Sequence, residues 1–204
     1  MISLENFTVT DQDQVLDFMN KNPFITLIGF DGTFPVATQV PVQVVVKDDQ
    51  ILLIGHVMNK TDHANAYTNH PNVLALFNGP HTYISASVYE QPAAVSTWNY
   101  MTVHAKGIFK TMNDDETYEA LKNLTNQYEN PSSSAAAFHK IGEAEVKKLI
   151  KGITGFQIVV TDLKHVFKLS QNKSKTNQNA IIKDLNHRDD PMAKDVADQM
   201  TKFC

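Results

Sequence analysis

From residue 24 the chain repeats short apolar runs separated by polar, Gly-bearing or Pro-bearing breaks. They are FITLIGF (24–30), FPVATQVPVQVVV (34–46), ILLIGHV (51–57), NVLALFNGP (72–80), HTYISASVY (81–89) and YMTVHAKGIFKTM (100–112). Runs of this length, rich in Val, Ile, Phe, Tyr and Thr, predict β-strands. Asp31-Gly32 between the first two is a hairpin signal. Pro35 and Pro41 require an edge, a bulge or a bend, because proline cannot donate to a strand ladder. Six short strands in series predict an antiparallel barrel, so the fold class is mainly β with helices.

Helical spacing appears in other stretches. Asp11 stands as an N-cap before Val15, Leu16, Phe18 and Met19, an apolar stripe that ends before Pro23. A short helix is expected near 61–69, stopped by Pro71. From Asp114 acidic residues suit the positive end of a helix, and Tyr118, Leu121, Leu124 and Tyr128 share one face. A Pro-Ser-Ser-Ser loop closes it, and AAAFHKIGEAEVKKLIKGI (135–153) predicts a second helix. Together they form a helical insert over 114–150. GFQIVVTDLKHVFKLSQNK (155–173) then predicts a hairpin-like pair of strands that completes the barrel, and the polar 174–204 a short helix with a loose tail. The expected organisation is a single domain over 1–185 followed by a C-terminal helix or tail over 186–204.

Composition narrows the function classes. At 204 residues with 42% hydrophobic content, the chain can bury one substantial core. Its formal charge of −4 and the absence of a basic stripe or helix-turn-helix pattern give no electrostatic case for direct DNA binding. The only cysteine is Cys204, so neither a disulfide framework nor a Cys-based metal site is expected. MISLENFTVTDQDQ has no charged segment followed by an apolar stretch, and no run approaches ~18 apolar residues. These features predict a soluble, cytoplasmic chain with no membrane partner.

Candidate chemistry is sparse. NKTDH (59–63) puts Lys60 and Thr61 at the head of a helix, where unpaired N–H groups and the positive dipole end suit a phosphate. The same residues also suit an ordinary helix cap by Thr61 or Asn59. His56, His63 and His70 recur every seven residues, but seven residues of helix separate two side chains by ~10.5 Å. That is too far for a shared metal with ligands at ~2 Å, so no metal is assigned. STWNYMTVHAKG (96–107) holds the only tryptophan, Trp98, which with Tyr83, Tyr89 and Tyr100 could stack on a flat ring or pack in a core or dimer. KLSQNKSK (168–175) reads as a solvated loop or as lysines beside an anion. No Gly-rich phosphate loop, carboxylate pair or catalytic triad is visible, so any reaction needs a bound cofactor.

GPHTYISASVY (79–89), STWNYMTVHAKG (96–107) and GFQIVVTDLKHVFKLSQNK (155–173), in that order with a helical insert before the third, resemble the PaiB-type FMN-binding negative transcriptional regulators. The resemblance runs from about Asn22 to about Leu185. It implies a split β-barrel related to the pyridoxamine-phosphate oxidase type of flavoprotein, assembled as a homodimer with FMN in a cleft between subunits. In that wider group a hydroxyl residue and a lysine two positions later hold the phosphate. Thr61 aligns with the first, the lysine position is His63, and Lys60 is the nearest cation. ATQVP (37–41), hence Thr38, Gln39 and Val40, matches the strand whose backbone runs along the flavin ring. Thr102 falls at a polar cofactor contact, and Phe167 with Lys168 near where an aromatic and a basic residue reach across from a second subunit. Ser87 and Val88 stand where the family tends to carry a tryptophan.

Three functions follow as expectations. The first is a regulator acting through flavin, a small molecule or a protein partner rather than through strong direct DNA contact. The second is an FMN-dependent oxidoreductase on a small substrate, with Tyr83, Trp98, Tyr100 and His104 around the ring and His104 as proton donor. The third is a haem-binding split barrel with His56 or His104 on the iron.

Overall fold

The computed structural model describes residues 7–91 and 94–204, so the first six residues of the N-terminal segment lie outside it. The elements in order are α1 (Gln12–Lys21), β1 (Phe24–Phe30), β2 (Pro35–Pro41), β3 (Gln43–Lys47), β4 (Gln50–Met58), α2 (Asp62–Asn69), β5 (Asn72–Ile84), β6 (Thr97–Thr111), α3 (Asp114–Tyr128), α4 (Glu143–Ile150), β7 (Ile153–Lys168), α5 (Lys175–His187) and α6 (Pro191–Phe203). Asp11 caps α1 as expected, its carboxylate accepting the Asp13 N–H at 2.9 Å. No helix among the described residues is long and apolar enough to cross a membrane.

The chain packs as two compact units. Residues 19–77 and 104–163 form one, and the described residues up to 18 with 78–103 and 164–204 form the other. β5, β6 and β7 contribute residues to both.

The first unit holds the barrel. Its seven strands are ordered β2-β1-β5-β6-β7-β4-β3, with antiparallel pairing of β1 to β2 and β5, and of β4 to β3 and β7. The two edge strands, β2 and β3, are separated in sequence by Val42 alone. A sheet whose outermost strands are consecutive in the chain has to curl until its edges meet, which makes it a split barrel. Val42 is buried at that seam, and its N–H donates to the Pro23 carbonyl at 2.9 Å. The run 34–46 is therefore two strands, because Pro41 fixes its own backbone and cannot donate to a ladder. Ile25, Leu27, Leu53, Phe77, Phe156 and Ile158 fill the interior. Phe109 joins Tyr67 and Phe156, with ring centroids 5.5 and 5.0 Å away. A smaller apolar cluster of Phe138, Val146 and Ile150, with Tyr118 and Leu121 against it, holds α3 to α4.

The second unit gathers the far ends of β5, β6 and β7 with α5 and α6. Phe167 is its centre, 5.1 Å from Phe18 and 5.6 Å from Phe203 by ring centroid. The short helix and loose tail expected over 174–204 are instead two packed helices. Ser174 and Asp190 cap them, and Ala193, Val196, Ala197 and Met200 are buried along one stripe of α6. Small apolar residues at helical spacing give that face its core contact despite the polar composition around it.

Three other expectations change. The runs 72–80 and 81–89 are one strand to Ile84, followed by a 3-10 turn over Ala86–Val88. Gly79 marks a close approach rather than a turn: a Cβ there would lie 2.4 Å from the Phe18 ring. The final hairpin is a single strand, β7, which continues through Thr161 and Asp162 without a turn. The second insert helix is a 3-10 turn over Phe138–Lys140 followed by α4, with Gly142 at the break.

Candidate functional site

The turn that leaves β4 is built from its own side chains. Lys60 is exposed and sits in the left-handed region at φ 61°. Thr61 caps α2: its hydroxyl accepts the Ala64 N–H at 3.3 Å and donates to the Met58 carbonyl at 3.0 Å. Asn59 is not the cap. It ties the turn to the start of β7, with its N–H on the Gly152 carbonyl at 3.0 Å, its amide on the Lys151 carbonyl at 3.0 Å and its oxygen accepting from the Thr154 hydroxyl. Sequence reading gave Asn59 no such part, because its partners lie about ninety residues away. The Asp62 carboxylate takes the His63 N–H at 2.7 Å and meets the His63 ring nitrogen at 3.1 Å.

Tyr67 fixes α2 to the barrel wall. Its hydroxyl donates to the Leu27 carbonyl at 2.7 Å beside the backbone of Thr38, the residue paired with Leu27 across β1 and β2. Burial, then the nearby Asp62 charge, pushes the phenol well above its ordinary range. The ring fits because residue 29 is glycine, where a Cβ would lie 2.5 Å from it. The capped turn and the β2 segment thus belong to elements in direct contact. Along β2, Val40 points into the core, Thr38 is half-buried and Gln39 is exposed. His56 on β4 and His104 on β6 are half-buried, and burial lowers the pKa of each, favouring the neutral imidazole at pH 7.

The second unit carries the aromatic candidates. Tyr83 and Trp98, 44% and 53% exposed, meet edge to face with centroids 6.0 Å apart, and His81 lies 6.3 Å from Trp98. The Lys168 amine donates to the Thr97 hydroxyl and, at 2.9 Å, to the Trp98 carbonyl, and burial lowers its pKa. Arg188 pins β5, donating to the Tyr83 carbonyl at 2.8 Å while paired with Asp184 at 2.6 Å. Alternation along β6 leaves Trp98, Tyr100, Thr102 and His104 on its less buried face, and the Thr102 hydroxyl donates to Asn78 at 3.4 Å. Phe167 has no exposed surface and packs the unit's own core. Ser87 and Val88 lie in the 3-10 turn. The KLSQNKSK stretch is ordered: Gln178 donates to the carbonyls of Ser170, Gln171 and Lys173, and the Lys173 amine sits 4.8 Å over the Tyr89 ring.

With this geometry in place, comparison with known proteins decides the family. A family model described as "Putative FMN-binding domain" matches residues 1–162. The protein "Protease synthase and sporulation protein PAI 2" of Bacillus subtilis is 32% identical over 194 residues, covering 95% of this chain and 93% of its own. The chain belongs to the PaiB-type FMN-binding family. Among solved structures, a conserved hypothetical protein of Mycobacterium tuberculosis matches with a TM-score of 0.58 at 16% identity, covering 84% of this chain and 92% of its own. An FAD- and haem-binding protein of Mycobacterium smegmatis matches with a TM-score of 0.60 at 13% identity, covering 84% and 78%. The PaiB-type chain thus has the split-barrel fold, and FMN is the cofactor of its family.

The residues present can be tested against that cofactor. At the turn, an exposed ammonium, a hydroxyl and the positive end of a helix suit a phosphate. Asp62 is the opposing feature, since its carboxylate already accepts a first-turn N–H. The exposed edge-to-face pair Tyr83–Trp98 suits a planar ring system. The turn fits the phosphate of a flavin nucleotide, which would compete there with Asp62.

Proposed function

We propose that this protein is a regulator whose state is set by FMN, acting as a homodimer through flavin or a protein partner rather than by strong DNA contact. The observation that carries the reading is the turn at the end of β4, where Lys60 stands exposed beside the Thr61 cap in a barrel of the FMN-binding family. Lys60 and Thr61 would hold the phosphate, and Asn59 positions both. The backbone of Thr38, Gln39 and Val40 would run along the ring. When bound, the flavin supplies hydride or electron transfer. Dimerisation is supported by the outward face of β1, β2 and β5. Directly paired positions Gln39, Thr26 and Leu76, and Ala37, Ile28 and Leu74, form two rows across it, with Phe24 66% exposed at its end. The overall acidic charge opposes a DNA-first mechanism. A second reading, an FMN-dependent oxidoreductase, is favoured by His104, whose half-buried imidazole, held neutral by burial, can accept a proton near pH 7.

The test is an FMN titration followed by flavin fluorescence, on wild type and on Lys60→Ala with Thr61→Ala. Saturable binding that the double variant weakens at least tenfold, about 1.4 kcal/mol, is expected. No saturable binding at ~10 μM FMN overturns the reading. Tight, salt-sensitive retardation of promoter DNA overturns the part about DNA.

A further inference from the structure

The barrel unit contains a groove of about 560 Å³ between the β3–β4–β7 surface and α3, lined by none of the residues assigned above to flavin. Its size is that of a small-molecule cleft, ~300–1,000 Å³. Its lining is unusual for a helix packed on a sheet. Gln43, Ile54 and Gln157 are directly paired across three strands, so two carboxamides flank one isoleucine on the same face. Opposite them, α3 presents Glu116, Ala120, Asn123 and Gln127, spaced four, three and four residues apart along one stripe. The apolar side of α3 is committed elsewhere, with Tyr118 and Leu121 against Phe138, Val146 and Ile150. Two polar surfaces therefore face each other, and the hydrogen bond that crosses between them is Gln43 to Gln127 at 3.3 Å.

Further polar side chains line the groove. Among the described residues, the side chains of Asn123 and Gln157 have no hydrogen-bond partner. Glu116 gives one carboxylate oxygen to the Asn113 N–H at 2.9 Å and keeps the other. Glu119 adds a second carboxylate, half-exposed and paired with Lys122. No lysine, arginine or histidine is among the lining residues described, while Val45, Ile54, Met112 and Ala120 give an apolar floor. Carboxylates accept only, and free carboxamides add further acceptors. We infer that this groove binds a small organic cation, an amine, amidine or guanidine carried on an apolar body, with its N–H groups on Glu116, Glu119 and the carboxamides of Asn123 and Gln157.

The test uses an isosteric trio on the full chain: benzamidine (cation), benzamide (neutral) and benzoate (anion), by calorimetry at low ionic strength. Benzamidine is expected to bind saturably and at least tenfold tighter than benzamide, with benzoate not binding. Glu116→Gln with Glu119→Gln is expected to abolish the preference for the cation, since glutamine still completes the cap of α3. Ala120→Phe, which fills the groove, is expected to abolish binding of benzamidine and benzamide alike. Thermal unfolding of each variant shows that it is folded. Absence of benzamidine binding up to ~10 mM, equal binding of benzamide or benzoate, or a cation preference that survives the double substitution overturns the inference. FMN binding enters none of these readouts, so this inference and the flavin reading fail separately.

Discussion

A carboxylate in the first turn of a helix stabilises it by ~0.3–1 kcal/mol, and the same charge repels any anion brought to that turn. Asp62 is in that position, accepting the His63 N–H at 2.7 Å one residue after the Thr61 cap. Its contributions to folding and to phosphate binding therefore have opposite signs. Asp62→Asn should tighten FMN by roughly three- to tenfold, since about 1 kcal/mol of like-charge repulsion is relieved. Riboflavin, which lacks the phosphate, should bind the two proteins equally. The same substitution should lower stability in urea by a few tenths of a kcal/mol up to ~1. A riboflavin affinity that shifts as much as that of FMN would show that Asp62 acts on the ring and not on the phosphate.

At the level of elements, α2 is held to the barrel by one ring and one missing side chain. The buried Tyr67 occupies the space above Gly29 and closes a hydrogen bond to the Leu27 carbonyl. Gly29→Ala should cost ~1–3 kcal/mol in chemical denaturation, because a rigid, packed ring cannot give way cheaply. Most of that cost should vanish in a Tyr67→Leu background, a coupling that a double-mutant cycle measures directly. A cost that stays unchanged would place the strain in the strand and not against the ring. This pair also shows where sequence pattern stops being informative. FITLIGF and ILLIGHV are legible as strands because short apolar runs rich in branched residues, bounded by turn residues, suit a pleated buried surface. That pattern cannot say whether a glycine is a turn or a contact: Gly29 and Gly79 both lie inside strands, each against a ring distant in sequence. The stripe Ala193, Val196, Ala197 and Met200 was present in the sequence, yet small residues weigh little in a hydropathy pattern, so α6 is visible only once packed. At the site, the Thr61 cap follows from local rules, whereas Asn59 depends on Gly152 and Thr154 and could not be read locally. The burial of Phe167 likewise depends on Phe18 and Phe203, at opposite ends of the chain.

For the molecule as a whole, three half-buried imidazoles set how stability responds to acid. Burial lowers the pKa of His56, His104 and His165 below the ordinary 6.5. Between those lowered values and 6.5 the unfolded chain binds more protons than the folded one, so stability rises with pH in that window. The contribution is complete above the unfolded value and is lost as pH falls through the folded ones. His165 has the clearest structural consequence, because its Nε2 accepts the Val9 N–H at 2.9 Å and a protonated nitrogen cannot. Urea midpoints measured between pH 8 and pH 5 should be flat to about pH 7 and then fall, before the carboxylates near ~4 begin to titrate. His165→Gln offers Val9 an uncharged acceptor and should make the fall shallower by one imidazole's share while leaving the plateau nearly unchanged. If the fall is equally steep in His165→Gln, then the acid sensitivity belongs to His56 and His104 alone, and the Val9 contact is too weak to couple the N-terminal segment to protonation.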